Sequence, residues 1–195
     1  MSNLRRFVSI IVPVWGDYIK FLPECLNSLE NQTVKPDEII VVNEKTDLPS
    51  ARNYGVNKAK YEYCLCLDVD DRLKPNAIER MIEEGVDITA FSREDQNGRE
   101  HELSKDLELS DFLKGNRIIA CSMFKKKVWE DIGGYDEAMV YGYEDWDFWV
   151  RALKAGYKVT PINEILYIQN FREDSMINET IKKHEELSKY IKSKK

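Results

Sequence analysis

Short apolar runs rich in β-branched residues alternate, through the first half of the chain, with segments whose apolar residues recur three and four positions apart. FVSIIVPV (7–14) is the first run, stopped by Pro13, and YIKFLPECLNSLENQ after it has helical spacing. The alternation returns as EIIVVN (38–43), a helical stretch around SARNYGVNKA, YEYCLCLD (61–68), the helical PNAIERMIEE opened by Pro75, and DITAF (87–91). Strands that are apolar on both faces and alternate with helices specify an α/β domain: a mostly parallel central sheet flanked by helices. In such sheets ligands bind beyond the carboxyl ends of the strands, where Trp15, Glu44, Asp68, Asp70 and Asp71 fall.

The second half keeps a different rhythm. SREDQNGREHELSKD (92–106) is highly charged and carries Asn97-Gly98, which predicts an exposed excursion turning through a type I′ hairpin. RIIACSMFKKK (117–127) reads as a strand, 133–143 as a glycine-containing loop, and EDWDFWVRALKAG as a helix ended by Gly156. Trp146, Trp149, Val150 and Leu153 form its apolar stripe, so the two tryptophans are read as core.

With 195 residues and 43% hydrophobic content the chain suffices for one full core, and no linker divides it. The formal charge of −6 argues against a nucleic-acid binder, whose affinity rests on Lys and Arg neutralising phosphates. Cys25, Cys64, Cys66 and Cys121 form no CxxC pair and have no histidine nearby, which argues against a zinc site; buried thiols of this kind fit a reducing, cytoplasmic setting. The apolar run at the N-terminus is too short to span a membrane and lacks a secretory cleavage pattern.

The chemistry concentrates in two acidic clusters. In CLCLDVDD a core strand runs straight into Asp68, Asp70 and Asp71. A lone aspartate after a strand is usually a turn residue, but three in four positions repel one another unless a cation or several donors offset the charge. A calcium loop of the EF-hand type fails, because Arg72 and Leu73 stand where an oxygen ligand and the turn glycine are needed. A hard divalent ion, manganese or magnesium, that in turn grips a diphosphate fits better. The second cluster, Glu144, Asp145 and Asp147, opens a helix, where free N–H groups favour negative charge. Asp147, four residues before Arg151, reads as a helix-capping residue, whereas the adjacent Glu144 and Asp145 raise each other's proton affinity, as a general base requires.

The ordered series VSIIVPVW, PDEIIVVNE, PSARNYGVNKAKYEYCLCLDVDD, MFKKKVWEDIGGYDE and GYEDWDFWVRALKAGYKV resembles the inverting glycosyltransferases of family 2, over nearly the whole chain. The resemblance implies a single GT-A domain, 1–195, a Rossmann-like nucleotide-diphospho-sugar transferase fold. Residues 1–91 would form its nucleotide-sugar half, 92–176 its acceptor and catalytic half, and 177–195 a C-terminal helix. It also implies roles. Pro13, Val14 and Trp15 touch the nucleoside and Glu44 lies near the base. Arg52 helps bind the nucleotide, Asp68 sits near the ribose or sugar, and Asp70, with Asp71 as an additional ligand, holds the metal. Asp145 is the catalytic base, with Glu144 beside it, oriented toward the acceptor. The donor is a nucleoside-diphosphate sugar, most often UDP-linked, and the acceptor a hydroxyl of a glycan or a lipid-linked sugar. Two departures stand out. Asn43-Glu44-Lys45-Thr46-Asp47 is shorter than the usual acidic run, and NFREDS places Arg172 where many members have a histidine close to the diphosphate. Arg172 keeps the ability to bind phosphate.

Two rivals follow. A sugar nucleotidyltransferase would need a glycine-rich basic segment early in the chain, and VPVWGDYIKFLPE has one glycine and no arginine. A non-catalytic nucleotide- or carbohydrate-binding module of a larger enzyme would not need Asp70 and Asp145 together. Tyr141 and Tyr143, in the loop before the base, are expected to contact the acceptor. The last helix, with Ile177, Ile181, Leu187, Tyr190 and Ile191 at helical spacing and a KSKK end, reads as a docked helix with a solvated tip. A basic amphipathic end can also make weak contact with an anionic membrane surface at the inner face.

Overall fold

β1 (Val8–Pro13) is buried along its whole length because both of its faces are covered. Val8, Ile10 and Val12 enter one apolar cluster, while Ile11 enters another on the opposite side of the sheet. The computed structural model describes residues 6–43, 46–105, 107–172 and 177–194. In chain order a 3-10 helix (Gly16–Phe21) and α1 (Leu22–Glu30) follow β1, then β2 (Glu38–Val42), α2 (Leu48–Lys58), β3 (Tyr63–Cys66), β4 (Arg72–Leu73), α3 (Ala77–Glu84), β5 (Ile88–Asp95) and β6 (Glu100–His101). The second half continues with α4 (Leu109–Phe112), β7 (Phe124–Lys125), α5 (Lys126–Ile132), α6 (Glu144–Lys154), β8 (Val159–Gln169), α7 (Ile177–Lys182) and α8 (His184–Ser193).

The sheet order is β2-β1-β3-β7-β5-β8-β4, with β6 paired to β5. The long pairings, β1 with β2, β1 with β3 and β5 with β8, are parallel; the antiparallel ones are two-residue or single contacts. One face is packed by α2, α4, α5, α6 and α8 through Val56, Phe112, Val128, Trp146, Trp149, Leu187 and Ile191. The other is packed by α1 and α3 through Cys25, Leu29, Ile78 and Met81. All four cysteines are free and buried, and Cys64 and Cys66 share one face of β3 as small apolar side chains. Where α2 crosses β1, Gly55 is required: an added Cβ would sit 2.3 Å from Ile11 Cγ2.

Three sequence expectations are corrected here. Only Phe124 and Lys125 of 117–127 form strand, and the chain turns directly into α5. Ile118, Cys121 and Met123 are buried all the same, from an irregular segment with a turn closed by Ser122 N–H on the Ile119 carbonyl. The hairpin at Asn97-Gly98 forms, but with three loop residues: Asp95 and Arg99 pair, Gly98 alone takes a positive φ of 78°, and Tyr143 is the only described non-glycine residue with positive φ. A type I′ turn would need positive φ at both central residues. The charged excursion at 92–106 is only partly exposed, since Asp95 is buried and Leu103 packs on the core. Among the described residues no helix is long and apolar enough to cross a membrane.

Candidate functional site

Parallel β1 and β3, and β8 parallel to β5, bring the C-terminal ends of three strands to one edge. Trp15 follows β1, Asp68 to Asp71 follow β3, and Asn170 to Arg172 follow β8. β4 folds the acidic turn back by pairing Arg72 with Ile168 and Leu73 with Tyr167. That register sets Asp71, 4% exposed, against the end of β8, where its carboxylate accepts from the Tyr167 hydroxyl and, at 2.7 Å, from the Asn170 N–H. Burial, with Asp68 and Asp70 adding to it, pushes the Asp71 carboxyl up to about 8. The Asn170 amide in turn donates to the Asp70 carbonyl.

Arg172 Nε donates to Asp70 Oδ2 at 3.1 Å, and its guanidinium lies 3.5 Å from the Phe21 ring centroid. Burial and Asp68 raise the Asp70 carboxyl, and Arg172 opposes them. The backbone beside Arg172 is gripped by a residue the sequence did not single out: Gln96, at the tip of the β5-β6 hairpin, donates to the Phe171 carbonyl and accepts from the Phe171 N–H. Trp15, Gly16, Asp17, Tyr18, Lys20, Phe21 and Arg172 line a cleft of about 430 Å³ at this edge. Trp15 is 59% exposed there, while Pro13 and Val14 are buried, with Val14 N–H bonded to the Val42 carbonyl. Glu44 lies outside the described residues. A roomier groove of about 790 Å³ between α2 and α5 is lined by none of these carboxylates.

Arg52, only 1% exposed, joins the two acidic clusters. Nη2 pairs with Asp68 at 2.8 Å and Nη1 with Glu144. Burial alone would lower its pKa, but Asp68 and Glu144 raise it well above its usual value, so it stays charged. Arg52 was expected at the nucleotide and Glu144 toward the acceptor; both face inward, toward each other. Asp145 stands at the open side of the same helix start. Its Oδ1 accepts from the Trp146 N–H at 2.7 Å, and its Oδ2 from the Asn116 side-chain amide at 2.8 Å. Asn116 reaches it because Trp146 Nε1 donates to the Phe112 carbonyl, tying α6 to the end of α4. Burial, with Glu144 adjacent, raises the Asp145 carboxyl to about 7, while Arg52, the Trp146 N–H and Asn116 oppose the shift. A base must be deprotonated, so kcat/KM for a reaction it serves should rise as pH passes through about 7. Asn116→Ala removes a donor that favours the charged form and should move that limb to higher pH, which a pH-rate profile of the two proteins measures.

The surroundings of Asp145 are closely packed. Tyr143, at the N-cap of α6, has φ 62°; its ring meets Trp146 edge-on and its hydroxyl lies 3.0 Å from His184 Nδ1. Tyr143 is therefore held in packing, whereas Tyr141 is 46% exposed. Asp147 is fully buried between Arg151 and Lys194. Lys194 also pairs with Asp136, so part of the basic C-terminal charge is spent within the fold.

A manganese or magnesium ion, expected on Asp70 and Asp71, needs carboxylate oxygens free to converge on it. Asp68 carries Arg52, Asp70 carries Arg172, and Asp71 is enclosed by Tyr167 and Asn170. No three acidic, histidine or cysteine side chains among the described residues are grouped so as to hold a metal ion. The residues present do not fit the ion.

Comparisons with known proteins agree on the class. The family model for glycosyl transferase family 2 matches residues 43–133, and that for the N-terminal domain of galactosyltransferase matches 113–174. An uncharacterized glycosyltransferase of Bacillus subtilis, YwdF, is 29% identical over 82% of this chain and 73% of its own. The Escherichia coli UDP-Gal:alpha-D-GlcNAc-diphosphoundecaprenol beta-1,3-galactosyltransferase is 24% identical over 90% of this chain and 78% of its own. The crystal structure of S. aureus TarS 1-349 in complex with UDP-GlcNAc superimposes with a TM-score of 0.70 at 17% identity, over 88% of this chain and 60% of that one. The GT-A fold is thus the fold of this chain, which spans about three fifths of that TarS structure.

Proposed function

Because the chain belongs to glycosyltransferase family 2, we propose that it transfers a sugar from a nucleoside-diphosphate sugar to a hydroxyl of a glycan or lipid-linked acceptor, inverting the anomeric configuration. UDP is the preferred nucleotide of this reading, in keeping with the UDP-sugars named for the E. coli relative and the TarS complex. The observation that carries it is the Arg52 bridge, which locks Glu144, beside the base, to Asp68, beside the donor cleft.

The acceptor oxygen attacks the anomeric carbon from the face opposite the nucleotide. As the new bond forms, the acceptor's proton passes to Asp145, the bond between the anomeric carbon and the phosphate oxygen breaks, and its electron pair leaves with the diphosphate. Trp15 offers an exposed aromatic face to the base, and Arg172 and Lys20 face the diphosphate across the cleft. Tyr141 borders the acceptor. Asp145 holds its place through Asn116 and the Trp146 N–H, which keeps the transferred proton's destination fixed.

The test has two stages. Thermal-shift titration with UDP, GDP, dTDP and CDP should show stabilisation by UDP above the others. Incubation with UDP-sugars should then release UDP slowly without acceptor and faster with one. Absence of both responses would sink the reading and leave a degenerate binding module.

A further inference from the structure

We infer that this transferase holds the donor's diphosphate on Arg172, aided by Lys20, and works without a divalent metal ion. The inference rests on the nucleotide-sugar reading above and concerns how that site meets the donor's charge. A departing diphosphate needs positive charge at the end of β3, and the usual supplier is an ion on aspartates. Here each aspartate already has a protein partner. Asp68 is paired by the buried Arg52, and Asp71 is closed off by Tyr167 and Asn170. Asp70, the one remaining, is paired by Arg172.

An ion on Asp70 would displace that guanidinium or sit against it, and both are cations, so the two compete for one carboxylate. The arginine is built into its position. Phe21 stacks under the guanidinium at 3.5 Å, Tyr18 lies 5.8 Å away, and Gln96 clamps the preceding backbone on both its N–H and its carbonyl. Among the described contacts Asp70 takes only Nε, and Arg172 lines the cleft that also contains Trp15 and Lys20. A planar fork matches two phosphate oxygens at once, which a point charge does not. Asp70 becomes a positioning residue for the arginine.

Isothermal titration of UDP into the full chain, once with EDTA and once with manganese, separates the possibilities. The expected result is a Kd that agrees within about twofold between the two buffers, and a loss of about tenfold or more in Arg172→Ala, with a smaller loss in Lys20→Ala. Arg172→Lys, which keeps the charge and loses the fork, should fall between wild type and alanine. UDP binding that appears only with manganese would overturn the inference and leave the glycosyltransferase reading standing. Equal binding in both buffers that Arg172→Ala does not weaken would also overturn it, by removing the arginine from the site. Failure of UDP, GDP, dTDP and CDP to bind in either buffer would overturn the nucleotide-sugar reading, and the inference with it.

Discussion

Asp145→Asn should lower the rate of sugar transfer by about 10²- to 10⁴-fold while leaving UDP affinity within experimental error, because the amide keeps the shape of the site and cannot take the acceptor's proton. The carboxyl sits where burial and Glu144 hold its pKa at about 7, so half of its base form is available near neutrality and nearly all of it above pH 8. The same placement has a thermodynamic side. A carboxyl whose pKa is higher in the folded than in the unfolded protein binds more protons when folded; folding stability therefore falls as pH rises from the ordinary carboxylate range through about 7. At pH 8 the neutral asparagine escapes that loss, and the variant should melt higher than wild type, by roughly 2–4 °C for each kcal/mol recovered. A variant that is less active and more stable identifies a functional carboxylate; near-normal turnover in Asp145→Asn would show that another group is the base.

Arg52→Met should be the most damaging single change in the site. It leaves Glu144 and Asp68 without their shared cation, and Glu144 is only 5% exposed. Breaking a buried pair by removing one partner typically destabilises by about 3–5 kcal/mol, which for a domain of this size corresponds to a fall of roughly 6–20 °C in Tm. Arg52→Lys should recover little, since one ammonium cannot reach both carboxylates in the forked geometry. Arg52→Met combined with Glu144→Gln should regain part of the loss, because the stranded charge is removed together with its partner. A melting temperature in Arg52→Met within about 2 °C of wild type would show that the bridge is dispensable.

The sequence carried the parallel strands and the acidic turn after β3, because each is written in adjacent residues: an apolar run, then charge. It misled at 117–127, where Ile118, Cys121 and Met123 are buried from a backbone that is not extended. An apolar segment of that length tells that side chains go inside, and says nothing of whether the backbone pairs with a neighbour. The Asn97-Gly98 turn was legible as a hairpin and not in its loop length, since the pairing of Asp95 with Arg99 depends on strand register. The resemblance pointed to Arg52, Asp68, Asp145 and Arg172, yet the partners that define what each does came only from three dimensions. Glu144 is 92 positions from Arg52, Tyr167 is 96 from Asp71, and Arg172 is 102 from Asp70. Asn116 and Gln96 had no local signal at all: each is an ordinary polar residue in a charged stretch, and its value comes from the atom it happens to face.

Those long separations bear on how the protein is made. The chain emerges with Asp68, Asp70 and Asp71 long before Glu144, Tyr167, Asn170 and Arg172 exist, and β4 has no partner until β8 is synthesised. During translation the first three strands can assemble on local contacts and Asp68 can find Arg52, but Asp70 and Asp71 wait for their partners until the last quarter of the chain arrives. Contacts this distant are closed late, after the entropy of the intervening loop has been overcome. The site is consequently the final part of the domain to acquire its form, and a nascent chain halted before β8 has the scaffold of the sheet and no place for a donor.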